Sequence, residues 1–188
     1  MRAAGCREVA MEVSSHGINQ ERVRGLKLRV AAFLNLTRDH LDYHGSMEDY
    51  FRVKARLFTG EVGSLPDLAV VNTDDPFGRR LVPMIPDGVR TLTFGLGDDA
   101  DIRATELDLG FVSTSFTLHW PGGQARIQSP LLGNYNLSNV LAALGICHAT
   151  GVELSSVLER LADFGGIPGR MERVEKDCAF NVLVDYAH

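Results

Sequence analysis

The sequence predicts an α/β domain: a mostly parallel central sheet flanked by helices, with a small antiparallel β annex. Three observations predict it. Short continuous apolar runs at residues 30–34, 68–71 and 91–94 have the character of parallel strands, which are buried on both faces. Segments of period-2 alternation between residues 102 and 129 read as antiparallel strands with one wet face. Two later apolar stretches stop at glycine, as helices do.

Taken in order, residues 8–13 are expected to form the first strand, with Glu12 near its end. Residues 30–34 form the second. Ser46 then opens a helix, with Asp49 three residues on as capping partner. The strand at 68–71 closes in the turn-rich string Asn72-Thr-Asp-Asp-Pro76. A short helix follows, broken by Pro83 and Pro86. After the strand at 91–94, the segments 102–109, 114–120 and 125–129 form the annex, with Pro121-Gly-Gly123 as a hairpin turn. Helices are expected over 137–150, closed by Gly151, and 154–164, closed by Gly165 and Gly166. Residues 182–188 read as a buried strand. Because strands lie so near both ends, the ends are expected to be cuts, the N-terminal one included.

Composition narrows the function. The chain has 188 residues, 45% of them hydrophobic and 23% charged, which suits one globular domain. A net charge of −5 argues against a general nucleic-acid binder, since phosphate backbones are gripped by Lys and Arg. Cys6, Cys147 and Cys178 are scattered, so no disulfide framework or Cys-x-x-Cys metal site is expected, and the thiols read as buried or half-buried. With no signal peptide and no run of roughly 20 apolar residues, a cytoplasmic protein off the membrane is expected.

Lys54 stands out. Met47, Tyr50, Phe51, Leu57 and Phe58 recur on one helical face, and position 54 lies on the same stripe. Either its stem packs while the ammonium snorkels to water, or the amine is held inside. Burial disfavours the charged form. A neutral amine can add carbon dioxide, and the resulting carbamate is an anionic oxygen ligand suited to Mg²⁺. Glu12 and His40, at the ends of two strands, are placed to join it. His40 and His44, four apart, would make a two-histidine zinc face on a helix. The Gly45-Ser46 that follows argues against a long helix there.

Five motifs then occur in order: Met11-Glu-Val-Ser-Ser-His-Gly17; Asn35-Leu-Thr-Arg-Asp-His-Leu-Asp-Tyr-His-Gly45 with Lys54-Ala-Arg-Leu-Phe58; Leu132-Gly-Asn-Tyr-Asn-Leu-Ser-Asn139; Gly169-Arg-Met-Glu172; and Val184-Asp-Tyr-Ala-His188. Together they resemble the central domain of the Mur ligases, with wording most similar to the UDP-N-acetylmuramoyl-tripeptide synthetases. The resemblance divides the chain into residues 1–178, central domain, and 179–188, the first strand of a C-terminal ligase domain. It implies Mg²⁺ bound by Glu12, His40 and carbamylated Lys54, with Lys54 and His40 catalytic. It implies that Ser14, Gln20 and Arg22 hold the UDP-N-acetylmuramoyl-dipeptide. Asn136, Asn139, Arg170 and Asp185 correspond to nucleotide-binding positions. Ser14 and Ser15 could instead merely cap the turn after the first strand, and Asn136 and Asn139 could cap a helix N-terminus.

The activity implied is ATP-dependent joining of a diamino acid, meso-diaminopimelate or L-lysine, to the muramoyl dipeptide through an acyl phosphate, in peptidoglycan synthesis by a monomer. The glycine-rich phosphate loop of the family is not found among these residues, and the 188 residues alone are expected to be inactive. Two other readings stand beside this one: a folylpolyglutamate synthetase-like ligase, and a non-catalytic remnant serving as a binding module.

Overall fold

The computed structural model describes residues 2–174, 180 and 182–186. Its centre is one six-stranded sheet in sequence order: β1 (Val30–Phe33), β2 (Leu68–Asn72), β3 (Arg90–Gly95), β4 (Ile102–Leu109), β5 (Thr114–Trp120) and β6 (Gly123–Ser129). The first four strands pair parallel, and the last two pairings are antiparallel. The annex is therefore continuous with the parallel sheet through the β3–β4 pairing. This mixed sheet, flanked by helices, is the fold class the sequence predicts.

Side-chain alternation along β2 creates two cores. Val70 faces one side, where it meets Phe94, Ile102, Phe116 and the long helix α5 (Gly133–Ala149). Ala69 and Val71 face the other, where Tyr50, Phe51 and Phe58 of α3 (Met47–Thr59) pack with Leu81 of α4 (Pro76–Leu81). The result is three layers: α5, the sheet, and α3 with α4. Close approach demands glycine at one crossing. A Cβ on Gly78 of α4 would sit 1.8 Å from the Asn72 carbonyl oxygen of β2.

Several local expectations hold. Ser46 caps α3, its Oγ accepting from the Asp49 amide at 3.1 Å. The β5–β6 hairpin turns through Pro121 and Gly122, and Gly122 has φ +110°, a conformation that favours glycine. Gly151, with φ +82°, follows the C-cap Thr150 of α5. Helix α6 (Leu154–Ala162) ends shortly before Gly165 and Gly166. No helix among the described residues is long and apolar enough to cross a membrane.

Others fail, each for a physical reason. Residues 8–13 form no strand. They carry the right alternation, but no strand among the described residues pairs with them, and Val9 and Met11 are 63% and 53% exposed. Helix α5 starts at Gly133, four residues before the expected start. Its N-cap is Leu132, with no side-chain cap, so Asn136 and Asn139 are helix-interior residues rather than caps. Residues 182–184 form β8, but not a buried strand. β8 pairs antiparallel with β7 (Glu172–Val174) as a separate two-stranded ribbon, where Leu183 to Tyr186 are exposed. Two strands alone have no second layer to bury against. Cys6 is exposed, Cys147 is half-buried, and Cys178 lies outside the described residues.

Candidate active site

In a parallel sheet the crevice beyond the C-terminal strand ends is where loops converge on ligands. Here hydrogen bonds tie those ends together. Asn72 at the end of β2 donates from Nδ2 to the Leu34 carbonyl after β1 at 2.7 Å, and reaches Ser138 of α5 at 3.4 Å. Asp75 accepts the Leu36 amide on Oδ2 at 2.9 Å, while its Oδ1 caps α4 through the Phe77 and Gly78 amides. The loop after β1, the turn after β2 and the start of α5 thus share one edge.

Lys54 points toward this edge. Its Nζ stands 5.3 Å from the centre of the Tyr50 ring. Burial pushes the amine below its ordinary value, and the carboxylates of Asp75 and Glu12 oppose that push. Glu12, although exposed and outside any strand, is therefore close enough to act on Lys54. His40 lies against the same Tyr50 ring, edge-on with centroids 6.0 Å apart. It sits just before α2 (Leu41–His44) with φ +54°, a conformation non-glycine residues seldom adopt, and its Nε2 is 3.5 Å from Asp39. Of the three expected metal-site residues, Lys54 and His40 both flank the Tyr50 ring, and Glu12 is within electrostatic reach of Lys54.

Ser14, Gln20 and Arg22 belong to the short helix α1 (Ser15–Asn19) and its flanks. Ser14 caps it, Oγ accepting the Gly17 amide at 3.1 Å. A hydroxyl keeps its proton and a second lone pair when it accepts once, so capping leaves Ser14 able to bind a ligand. Gln20 ends the helix and is exposed. Arg22 is exposed and makes no ion pair among the described residues.

The nucleotide positions fall into two groups. Asn136 is buried and donates to the Leu132 carbonyl at 2.9 Å, whereas Asn139, one turn on, is exposed with its amide free among the described residues. Both lie on the first turns of α5, at the shared edge. Arg170 and Asp185 lie instead by the β7–β8 ribbon. There the Asp185 carboxylate accepts the Met171 amide at 3.1 Å, and Tyr186 donates its amide to Gly169 at 2.8 Å.

Four residues at this edge escaped the sequence reading of the site. Asp75 read as part of a turn and Tyr50 as one more apolar position on a helical stripe. Ser15 read only as a possible turn cap, and His44 only as half of a two-histidine zinc face. Ser15 is only 2% exposed, and its hydroxyl meets His44 Nε2 at 2.8 Å. His44 stacks on Tyr50 with centroids 4.9 Å apart and planes 12° apart. Burial first, then the neighbouring His16 and His40, lower the His44 pKa, while Asp42 and Asp49 oppose. The zinc reading of His40 and His44 therefore finds no support: His44 Nε2 is engaged by Ser15, and among the described residues no three His, Cys, Asp or Glu side chains are grouped to hold a metal.

The family profile of the Mur ligase middle domain matches residues 1–147. The chain belongs to the Mur ligase family. It is 49% identical over 187 residues to the UDP-N-acetylmuramoyl-L-alanyl-D-glutamate–2,6-diaminopimelate ligase of Thermosynechococcus vestitus, covering 98% of this chain and 37% of that one. It is 46% identical over 186 residues to the ligase of the same name from Synechococcus elongatus, with the same coverage. A solved structure of a UDP-N-acetylmuramoyl-L-alanyl-D-glutamate–2,6-diaminopimelate ligase superposes with TM-score 0.78 at 34% identity, over 87% of this chain and 34% of that one. This Mur ligase chain thus spans a little over a third of the length of its curated relatives. Their names carry the muramoyl substrate, in keeping with the muramyl rather than the folate reading of the motifs.

Proposed function

We propose that this chain is the middle domain of an ATP-dependent ligase that adds a diamino acid, 2,6-diaminopimelate or L-lysine, to UDP-N-acetylmuramoyl-L-alanyl-D-glutamate, with its last residues leading into a C-terminal domain. The observation that carries the reading is the half-buried Lys54, its amine pushed down, grouped with His40 around Tyr50 and within electrostatic reach of Glu12. The names of the relatives supply the substrate class.

The chemistry follows from charge. A carboxylate is a weak acyl donor, so its oxygen first attacks the terminal phosphorus of ATP, giving an acyl phosphate and ADP. The amine of the diamino acid then attacks the acyl carbon, and inorganic phosphate leaves from the tetrahedral intermediate. Bringing a carboxylate beside the triphosphate crowds negative charge.

The residues here suit a magnesium ion. A neutral Lys54 amine takes up carbon dioxide and releases a proton, which turns the residue from a cation into an oxygen ligand. Glu12 contributes a carboxylate and His40 an imidazole. Mg²⁺ bound by these three would neutralise phosphate charge as a clamp and Lewis acid. Ser14, Gln20 and Arg22 bind the muramoyl dipeptide from the α1 side, Arg22 by pairing with phosphate or carboxylate oxygens. Asn139 offers its free amide to the base of ATP, and Arg170 and Asp185 reach its phosphates and ribose.

The test is phosphate release by the complete ligase. With ATP, Mg²⁺ and the muramoyl dipeptide, release should depend on an added diamino acid and yield the tripeptide product by mass. No release with either diamino acid would leave the chain as a binding module.

A further inference from the structure

Three side-chain groups at this edge are unused by the mechanism above: the buried Ser15 hydroxyl and Tyr50 phenol, and the half-buried His44 imidazole. They touch one another. Ser15 meets His44 Nε2 at 2.8 Å, and His44 lies flat on Tyr50, whose phenol is close enough to the Ser15 hydroxyl to feel it. One hydroxyl donates once and accepts twice, so Ser15 can serve both partners. Each comes from a different helix: Ser15 from α1, His44 from α2, Tyr50 from α3. A second seam runs beside it. The Tyr43 ring of α2 packs on His16 of α1 with centroids 3.9 Å apart, and Asn19 donates to the Tyr43 hydroxyl at 2.9 Å.

The position of this knot is informative. α1 carries Ser14 and leads into Gln20 and Arg22, the substrate side. α2 follows directly from His40, and α3 carries Lys54 one turn beyond Tyr50. Yet α1 and α2 are five and four residues long, too short to hold themselves. Their placement has to come from tertiary contacts, and α2 has no fully buried residue.

We infer that Ser15, His44 and Tyr50 form a clamp that locks the substrate-side helix α1 to the metal-side residues His40 and Lys54, with His44 as the positioning residue. The clamp touches neither substrate nor nucleotide. It sets the distance between the muramoyl carboxylate and the ligands that neutralise phosphate charge. That distance matters because displacement by about 1 Å can cost on the order of a hundredfold in rate. The catalytic half of the inference rests on the ligase reading; the structural half does not.

The experiment has two arms in the complete ligase. In the first, amide hydrogen exchange is followed in wild type, Ser15→Ala, His44→Ala and His44→Gln. Faster exchange at residues 17–22 in both alanine variants, with β1–β3 amides unchanged, supports the clamp. Unchanged exchange at 17–22 overturns it. Glutamine keeps a polar group near the Nε2 position and should restore much of the protection.

In the second arm, steady-state kinetics should show kcat falling roughly tenfold to a hundredfold in His44→Ala while KM for ATP stays within about twofold. The Ser15→Ala/His44→Ala double variant should lose no more than the worse single one, because the two act as a unit. Losses that multiply, or a loss confined to KM for ATP, overturn the positioning role. If wild type itself turns over no muramoyl substrate, the ligase reading fails while the exchange arm still decides the clamp.

Discussion

Lys54 Nζ lies 5.3 Å from the centre of the Tyr50 ring, one helical turn earlier on the same face of α3. A cation at that range is attracted by the ring face, which favours the charged amine. Burial works the other way and dominates, with Asp75 and Glu12 limiting its effect. The amine is held where loss of its proton is easier than in water, and a carbamate can form only from the neutral amine.

Replacing Lys54 by alanine should reduce phosphate release by the complete ligase by about three orders of magnitude or more, on the scale of losing a main electrostatic stabiliser. Formate or acetate should restore part of the activity by supplying the missing carboxylate oxygens. Lys54→Arg should be as inactive and refractory to rescue, since a guanidinium stays charged and forms no carbamate. Full activity in Lys54→Ala would remove the carbamate role.

The same lysine makes stability depend on pH. Its folded pKa is lowered, so between the folded and unfolded values the unfolded chain binds more protons. Destabilisation is fully present below the folded pKa and is relieved as pH rises toward about 10.4, where the unfolded lysine titrates. Lys54→Met should therefore be more stable than wild type near neutral pH in carbon dioxide-free buffer. The gap should close toward about pH 10. Urea titrations at the two pH values measure it, and a gap that widens with pH would contradict the sign.

Asn136 and Asn139 should separate stability from nucleotide binding. Asn136 is buried and holds the Leu132 carbonyl at 2.9 Å, so Asn136→Ala should cost about 1 kcal/mol on unfolding. Asn139 is exposed and holds nothing among the described residues, so Asn139→Ala should leave the melting temperature unchanged while raising KM for ATP. Equal melting shifts in both would show that the two amides do not divide these roles.

Gly78→Ala tests the packing beneath the site. The added methyl would meet the Asn72 carbonyl at 1.8 Å, and α4 cannot retreat without releasing the Asp75 cap. Destabilisation of roughly 3 kcal/mol is expected, toward the upper end for overpacking. Asn72 orders the loop after β1, so kcat should fall with stability. A variant as stable as wild type would show that α4 moves freely.

Much of this domain is legible in the sequence. Continuous apolar runs marked three of the four parallel strands, alternation marked the annex, and the Met47-to-Phe58 stripe turned Lys54 inward, because periodicity records which face is buried. The five motifs carried the family. Local pattern could not show what lies across a contact. Residues 8–13 alternate like a strand, but a strand also needs a partner ladder, which pattern does not contain. Tyr50 looked like any core aromatic, and Ser15 and His44 lie 29 residues apart. Their meeting with Tyr50, and the reach of Asp75 and Glu12 to Lys54, arise from folding three helices over one sheet edge. Hydrogen bonds and charges act over a few ångströms of space rather than along the chain. Sequence by itself thus determined the six strands of the central sheet, the inward-turned, half-buried lysine and the family, and tertiary structure alone decided which side chains surround that lysine.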